Sequence, residues 1–194
     1  MEDLIPYTQP YFTGDETQYI SDVLKSRNLA GDGIFTERCQ KLIKELCSSN
    51  FALVTNSCTS ALEMSALLAG VTEGDEVIMP SFTFSSTANA FVLRGATPVF
   101  VDIRQDTLNL DEAKIEEALS NKTKAIVPVH YAGVSCAMNE IMEISDTASI
   151  LIVEDAAQGL LSTYDSKPLG AFGSFGCLSF HATKNIIAGE GGAL

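Results

Sequence analysis

Three clusters of small polar and ionisable residues stand directly behind short apolar runs, where chemistry is easiest to build. The first is Asn56-Ser57-Cys58-Thr59. Between a strand and a helix, such a cluster turns free backbone N–H groups toward an anion, and its hydroxyls add donors. A simple helix N-cap uses the same residues, and the cluster alone does not choose between the two. The second is Glu154-Asp155-Ala156-Ala157-Gln158. An acidic pair at the end of a buried strand puts one carboxylate over the strand's carboxyl edge. There it can hold a pyridinium nitrogen protonated, the state in which a pyridoxal ring draws electrons best; a cap for the next segment is the plainer use. The third is Ser179-Phe180-His181-Ala182-Thr183-Lys184-Asn185, followed by Gly189-Glu190-Gly191-Gly192. A lysine in a small, Gly-flanked loop can form a Schiff base with a carbonyl once its surroundings lower its pKa. His181 is the alternative acid–base group, although a lone histidine is more often structural.

The elements that must position these clusters follow from periodicity. Apolar residues recur at helical spacing over residues 16–27, 36–47, 57–68, 85–93, 111–119 and 139–145. Thr36 is the expected N-cap of the second helix, and Ser57 or Asn56 that of the third. Short apolar, β-branched runs cover residues 51–54, 76–79, 98–101, 125–129, 150–154 and 176–180, the last being the final expected strand. Strands separated by single helices imply right-handed crossovers and an α/β fold: a three-layer arrangement with a mostly parallel sheet flanked by helices. Ligands in such sheets sit beyond the carboxyl ends of the strands, where all three clusters fall.

Composition narrows the partners. The chain has 194 residues and a net charge of −13. No basic cluster exists for a nucleic acid or an anionic membrane surface. Five scattered cysteines with no C-x-x-C argue against a disulfide framework and a zinc site, and no metal is expected. The start, Met1-Glu2-Asp3-Leu4, lacks a signal-peptide pattern, and no apolar run is long enough to span a bilayer. Cytoplasm is the expected compartment. The dinucleotide fingerprint, the P-loop and the G-x-S-x-G elbow are all missing, which leaves a phosphate-bearing cofactor at a sheet edge.

In combination the motifs resemble the DegT/DnrJ/EryC1/StrS sugar aminotransferases, pyridoxal-phosphate (PLP) enzymes of fold type I. The motifs are Gly31-Asp32-Gly33 with Phe35-Thr36, Thr59-Ser60-Ala61-Leu62-Glu63, Pro80-Ser81-Phe82-Thr83-Phe84, Val129-His130-Tyr131-Ala132-Gly133, the Asp155 cluster and the Lys184 cluster. The likeness runs from Ile5 to the end. Residues 86–96 and 127–134 look most like the branch that makes dTDP-4-amino-4,6-dideoxygalactose for enterobacterial common antigen, a lipopolysaccharide-related pathway.

The resemblance implies residue roles. Lys184 would carry PLP as a Schiff base and shuttle the substrate proton. Asp155 would pair with the ring nitrogen, Gln158 would lie near the phenolic oxygen, and Phe84 would stack on the ring where relatives often carry Trp. Ser179, Cys58 and Thr59 would bind the phosphate. Cys58 stands where many relatives have Gly, which leaves the backbone N–H in place. L-Glutamate would be the amino donor and dTDP-4-keto-6-deoxyglucose the acceptor, in a homodimer. On this likeness residues 1–194 are the N-terminal part of the large PLP-binding domain, C-terminally incomplete and without the small domain. The chain alone is then expected to be inactive. A non-catalytic remnant and a PLP-dependent sugar dehydratase are the alternatives; relatives of the latter kind replace the lysine with His, which Lys184 disfavours.

Overall fold

A computed structural model describes residues 5, 6 and 8–194. The expectation on Met1 to Leu4 falls outside them. In chain order the elements are α1 (Glu16–Ser26), α2 (Ile34–Cys47), β1 (Val54–Thr55), α3 (Cys58–Leu68), β2 (Glu76–Pro80), α4 (Ser85–Val92) and β3 (Thr97–Val101). They continue with α5 (Ile115–Ala118), β4 (Thr123–Ile126), α6 (Met138–Ala148), β5 (Leu151–Asp155), β6 (Thr163–Tyr164), β7 (Lys167–Pro168), β8 (Phe175–Ser179) and β9 (Gly192–Ala193).

Seven strands form one sheet in the order β1-β9-β8-β5-β4-β2-β3. From β3 across to β8 all neighbours pair in parallel, and β9 runs antiparallel between β8 and β1. The strands are apolar on both faces, and alternation sorts their side chains into layers. Val77, Met79, Val127, Val153 and Cys177 pack with Leu62, Ala66 and Phe91 of α3 and α4. Ile78, Ile126 and Ile152 point the other way, onto Ile115 of α5 and Met138 and Ile141 of α6. A third cluster seats α2 through Ile43 and Cys47 against Leu178 and Ala193. The expected three-layer α/β fold is therefore present.

Several local expectations are corrected. Gly33, not Thr36, precedes the first turn of α2, and Thr36 lies inside that turn. Of the first expected strand, 51–54, only Val54 lies in a strand; β1 is Val54–Thr55, paired with the two residues of β9. The segment after Asp111 is split: the Asp111 side chain accepts from Ala113 N, a 3-10 turn covers Glu112–Lys114, and only four α-helical residues follow. Strand β8 is not the last. The chain returns as β9, and Leu53 and Leu194 exchange backbone hydrogen bonds of 2.8 and 2.9 Å beyond it.

Candidate active site

Strand β5 settles which member of the acidic pair faces the layer of α3 and α4. Asp155 follows Val153 on that face, and Glu154 follows Ile152 on the opposite one. Both are buried, at 5% and 0% exposure. Their environments differ. Glu154 accepts backbone N–H groups from Gly170, Phe172 and Gly173 at 2.6–2.8 Å. His130 Nε2 lies 2.9 Å from its Oε2, while His130 Nδ1 accepts the Cys136 N–H at 3.3 Å. With Nδ1 accepting, a ring proton sits on Nε2 and is donated to Glu154. Glu154 is thus consumed by the fold.

Asp155 is not. Its Oδ1 accepts the Ala157 N–H at 3.2 Å and its Oδ2 accepts the Thr87 hydroxyl at 2.6 Å. Burial pushes its carboxyl above the usual range, opposed by the Thr87 and Ala157 bonds and by the Lys184 charge. Asp155, Lys184, Gln158 and Phe84 line one cavity, together with Thr83, His130 and Tyr131. Four residues expected from the sequence therefore meet. Phe84, the residue before α4, exposes 74% of its surface at this opening. Gln158 Oε1 accepts the Ala132 N–H at 2.6 Å, which turns its amide nitrogen outward as a donor. Among the described residues Lys184 forms no ion pair and no side-chain hydrogen bond.

The lysine loop is closed by backbone bonds. Ala188 N donates to Phe180 O at 2.7 Å, and Phe180 N to Gly191 O at 2.8 Å. Asn185 Nδ2 ties it to Leu160 O at 2.7 Å, on the turn that carries Gln158. His181 braces the same loop: its Nδ1 accepts the Thr183 N–H at 3.2 Å, and its Nε2 lies 3.5 Å from Glu190 Oε1. It does not line the Asp155 cavity.

The remaining three expected residues, Cys58, Thr59 and Ser179, do not line this cavity. Ser57 caps α3, its Oγ accepting the Ser60 N–H at 3.2 Å, which leaves the amides of Cys58 and Thr59 with no partner one turn back. Ser179 ends β8 opposite Gly192, and a Cβ on Gly192 would overlap the Ser57–Cys58 peptide. Ser179 and the start of α3 thus approach the same residue of β9. The Cys58 side chain points into the core, where burial first, then Asp155, pushes its thiol up strongly. Sequence reasoning missed Thr87, Asn185 and the His130–Glu154 pair. Only the polar residue Thr87 inside an otherwise apolar helix face gave any signal.

A PLP-sized anion with an aromatic ring suits this donor set. A buried carboxylate, an exposed aromatic ring, the Gln158 amide and a lysine with no ion pair among the described residues line one opening. No group of His, Cys, Asp and Glu among the described residues could hold a metal ion. No helix among them is long and apolar enough to cross a membrane.

The model of the DegT/DnrJ/EryC1/StrS aminotransferase family matches residues 10–194. The spore coat polysaccharide biosynthesis protein SpsC of Bacillus subtilis is 40% identical over 98% of the chain and 49% of its own length. GDP-perosamine synthase of Escherichia coli O157:H7 is 36% identical over 97% of the chain and 52% of its own. Spr1654 of Streptococcus pneumoniae, assigned as a sugar aminotransferase and solved in its PLP form, superposes with TM-score 0.90 at 32% identity, covering 97% of this chain and 52% of that one. DesI, solved in the presence of its TDP-sugar product, superposes with TM-score 0.89 at 34% identity, covering 96% and 47%. The chain spans about half the length of the relatives it matches.

Proposed function

The chain belongs to the DegT/DnrJ/EryC1/StrS aminotransferase family, whose members are PLP-dependent, and from that premise we propose that it is the N-terminal part of the PLP-binding domain of a nucleotide-sugar aminotransferase. The observation that carries the reading is the meeting of Asp155, Lys184, Gln158 and Phe84 around one opening.

When bound, PLP supplies the electron sink that lets an amino group pass between two carbon skeletons. The chain's own residues do the rest. Asp155 Oδ gives the ring nitrogen a counter-charge in a site dry enough for that charge to count. Phe84 covers one ring face. The Gln158 amide donates toward the ring's phenolic oxygen. Ser179 Oγ, the Thr59 hydroxyl and the Cys58 and Thr59 amides receive the phosphate at the positive end of α3. Lys184 Nζ would hold the cofactor through its aldehyde and would carry a proton to and from the substrate carbon.

The finer reading takes L-glutamate as donor and dTDP-4-keto-6-deoxyglucose as acceptor, amination at C4 giving dTDP-4-amino-4,6-dideoxygalactose. It is supported by the motifs of residues 86–96 and 127–134 and by the nucleotide sugars named for DesI and GDP-perosamine synthase. A homodimer in the cytoplasm, serving surface-polysaccharide synthesis, completes it. Borohydride reduction in the presence of PLP, followed by peptide mapping, tests the cofactor assignment: a pyridoxyl group is expected on Lys184, and its appearance on another lysine overturns it. Product NMR then reads the configuration at C4, where a gluco product would move the substrate assignment to another branch.

A further inference from the structure

Asp155 is held by a chain of two hydroxyls, of which Thr83 lies in a quoted motif and Thr87 in none. Thr83 Oγ1 lies 2.7 Å from Thr87 Oγ1, which lies 2.6 Å from Asp155 Oδ2. An ionised carboxylate only accepts, so Thr87 donates to it, and Thr83 must donate to Thr87. The order of donation is fixed: Thr83 to Thr87 to Asp155. Each bond polarises the next in a site where water does not compete, since Thr87 is fully buried. The two threonines sit four residues apart, on either side of Phe84, so the start of α4 both presents the aromatic ring and anchors the carboxylate below it.

We propose that Thr87, primed by Thr83, is the positioning residue that keeps the Asp155 carboxylate ionised and aimed at a protonated ring nitrogen. The proposal rests on the PLP reading above. Thr87 and the Ala157 N–H each take one carboxylate oxygen, fixing the plane of the group and leaving its other lone pairs to the ring. Burial works against the charge, and the Thr87 bond is the largest influence that opposes it. The other groups that face Asp155 are Lys184 from the loop behind β8, His130 behind β4, and the thiols of Cys58 on α3 and Cys177 on β8.

Pyridoxamine phosphate is the probe, because it has no aldehyde and reports ring and phosphate contacts without the lysine bond. Its affinity is measured by titration calorimetry between pH 4 and 8 for the wild type, Thr87→Val, Thr87→Ser and Thr83→Val, with Tm recorded for each. Thr87→Val is expected to weaken binding about tenfold or more, the scale of one hydrogen bond to a charged group. Its affinity should also fall at a higher pH on acidification, since the carboxylate takes up a proton sooner. Thr87→Ser should restore both properties, and Thr83→Val should shift both in the same direction by less. If Thr87→Val does not fold, the shift in Thr83→Val carries the decision. Unmoved acidic limbs in the folded variants overturn the role of Thr87 while leaving the cofactor reading intact. A wild type that binds no pyridoxamine phosphate overturns the cofactor reading and this role with it.

Discussion

Two adjacent carboxylates, Glu154 and Asp155, have opposite fates because a strand sends consecutive side chains to opposite faces. Glu154 has its lone pairs satisfied by three backbone N–H donors and His130. Glu154→Ala strands those buried donors, and denaturant unfolding should show a loss of about 1–3 kcal/mol or more, the scale for leaving a buried donor unpaired. Asp155 instead carries its desolvation cost until a cation arrives. Its carboxyl is pushed up chiefly by burial. An acid with a folded pKa above its unfolded value, about 3.9, binds its proton more tightly when folded. Its contribution to stability is then full below the unfolded value and is lost as pH rises through the folded one. Cofactor-free Asp155→Asn should therefore have a higher Tm than the wild type at pH 7. The gap should close as the pH falls through the folded pKa, below which the wild-type group is protonated too. The same variant should lose most single-turnover activity with glutamate; a rate close to the wild type would assign the ring nitrogen to another group.

Among the elements, β9 and the start of α3 depend on each other. β9 has only two residues, yet Gly192 pairs with both Thr55 of β1 and Ser179 of β8 and lies against the Ser57–Cys58 peptide. A methyl group there has nowhere to go, since the obstruction is backbone. Gly192→Ala should push β9 away from α3, widening the expected phosphate site. The readout is inorganic phosphate or pyridoxamine phosphate affinity, with a larger loss than Ser57→Ala causes. Ser57→Ala removes one cap bond, worth about 1 kcal/mol of stability, and leaves the Cys58 and Thr59 amides in place.

For the whole molecule, one patch of exposed apolar surface lies on the N-terminal helices. Ile20 and Leu24 of α1, Leu29, and Leu42 of α2 are all more than half exposed, and no residue of α1 is buried. A patch of this kind marks a contact surface or an aggregation hazard. The net charge of −13 opposes self-association, and salt screens that repulsion. Sedimentation of the chain should therefore show association that grows with ionic strength, and Leu24→Glu should reduce it. Association that weakens with salt would mean that charge pairing, not apolar contact, holds the copies together.

Sequence by itself determined the layers and the candidate groups. Unbroken apolar runs such as 150–153 encode burial on both faces, and the crossover helices between them leave a parallel sheet as the simple arrangement. Hence Asp155, Gln158, Lys184 and the Ser57–Thr59 cluster all read as edge residues, and Asp155, Gln158, Lys184 and Phe84 do line one opening. Tertiary structure decided what depends on partners far away in the chain. Thr87 meets Asp155 across 68 positions, Gly192 meets Ser57, and His130 donates to Glu154. Local periodicity carries no information about such pairs, because a hydrogen bond between distant segments is set by the packing of the elements that bear them.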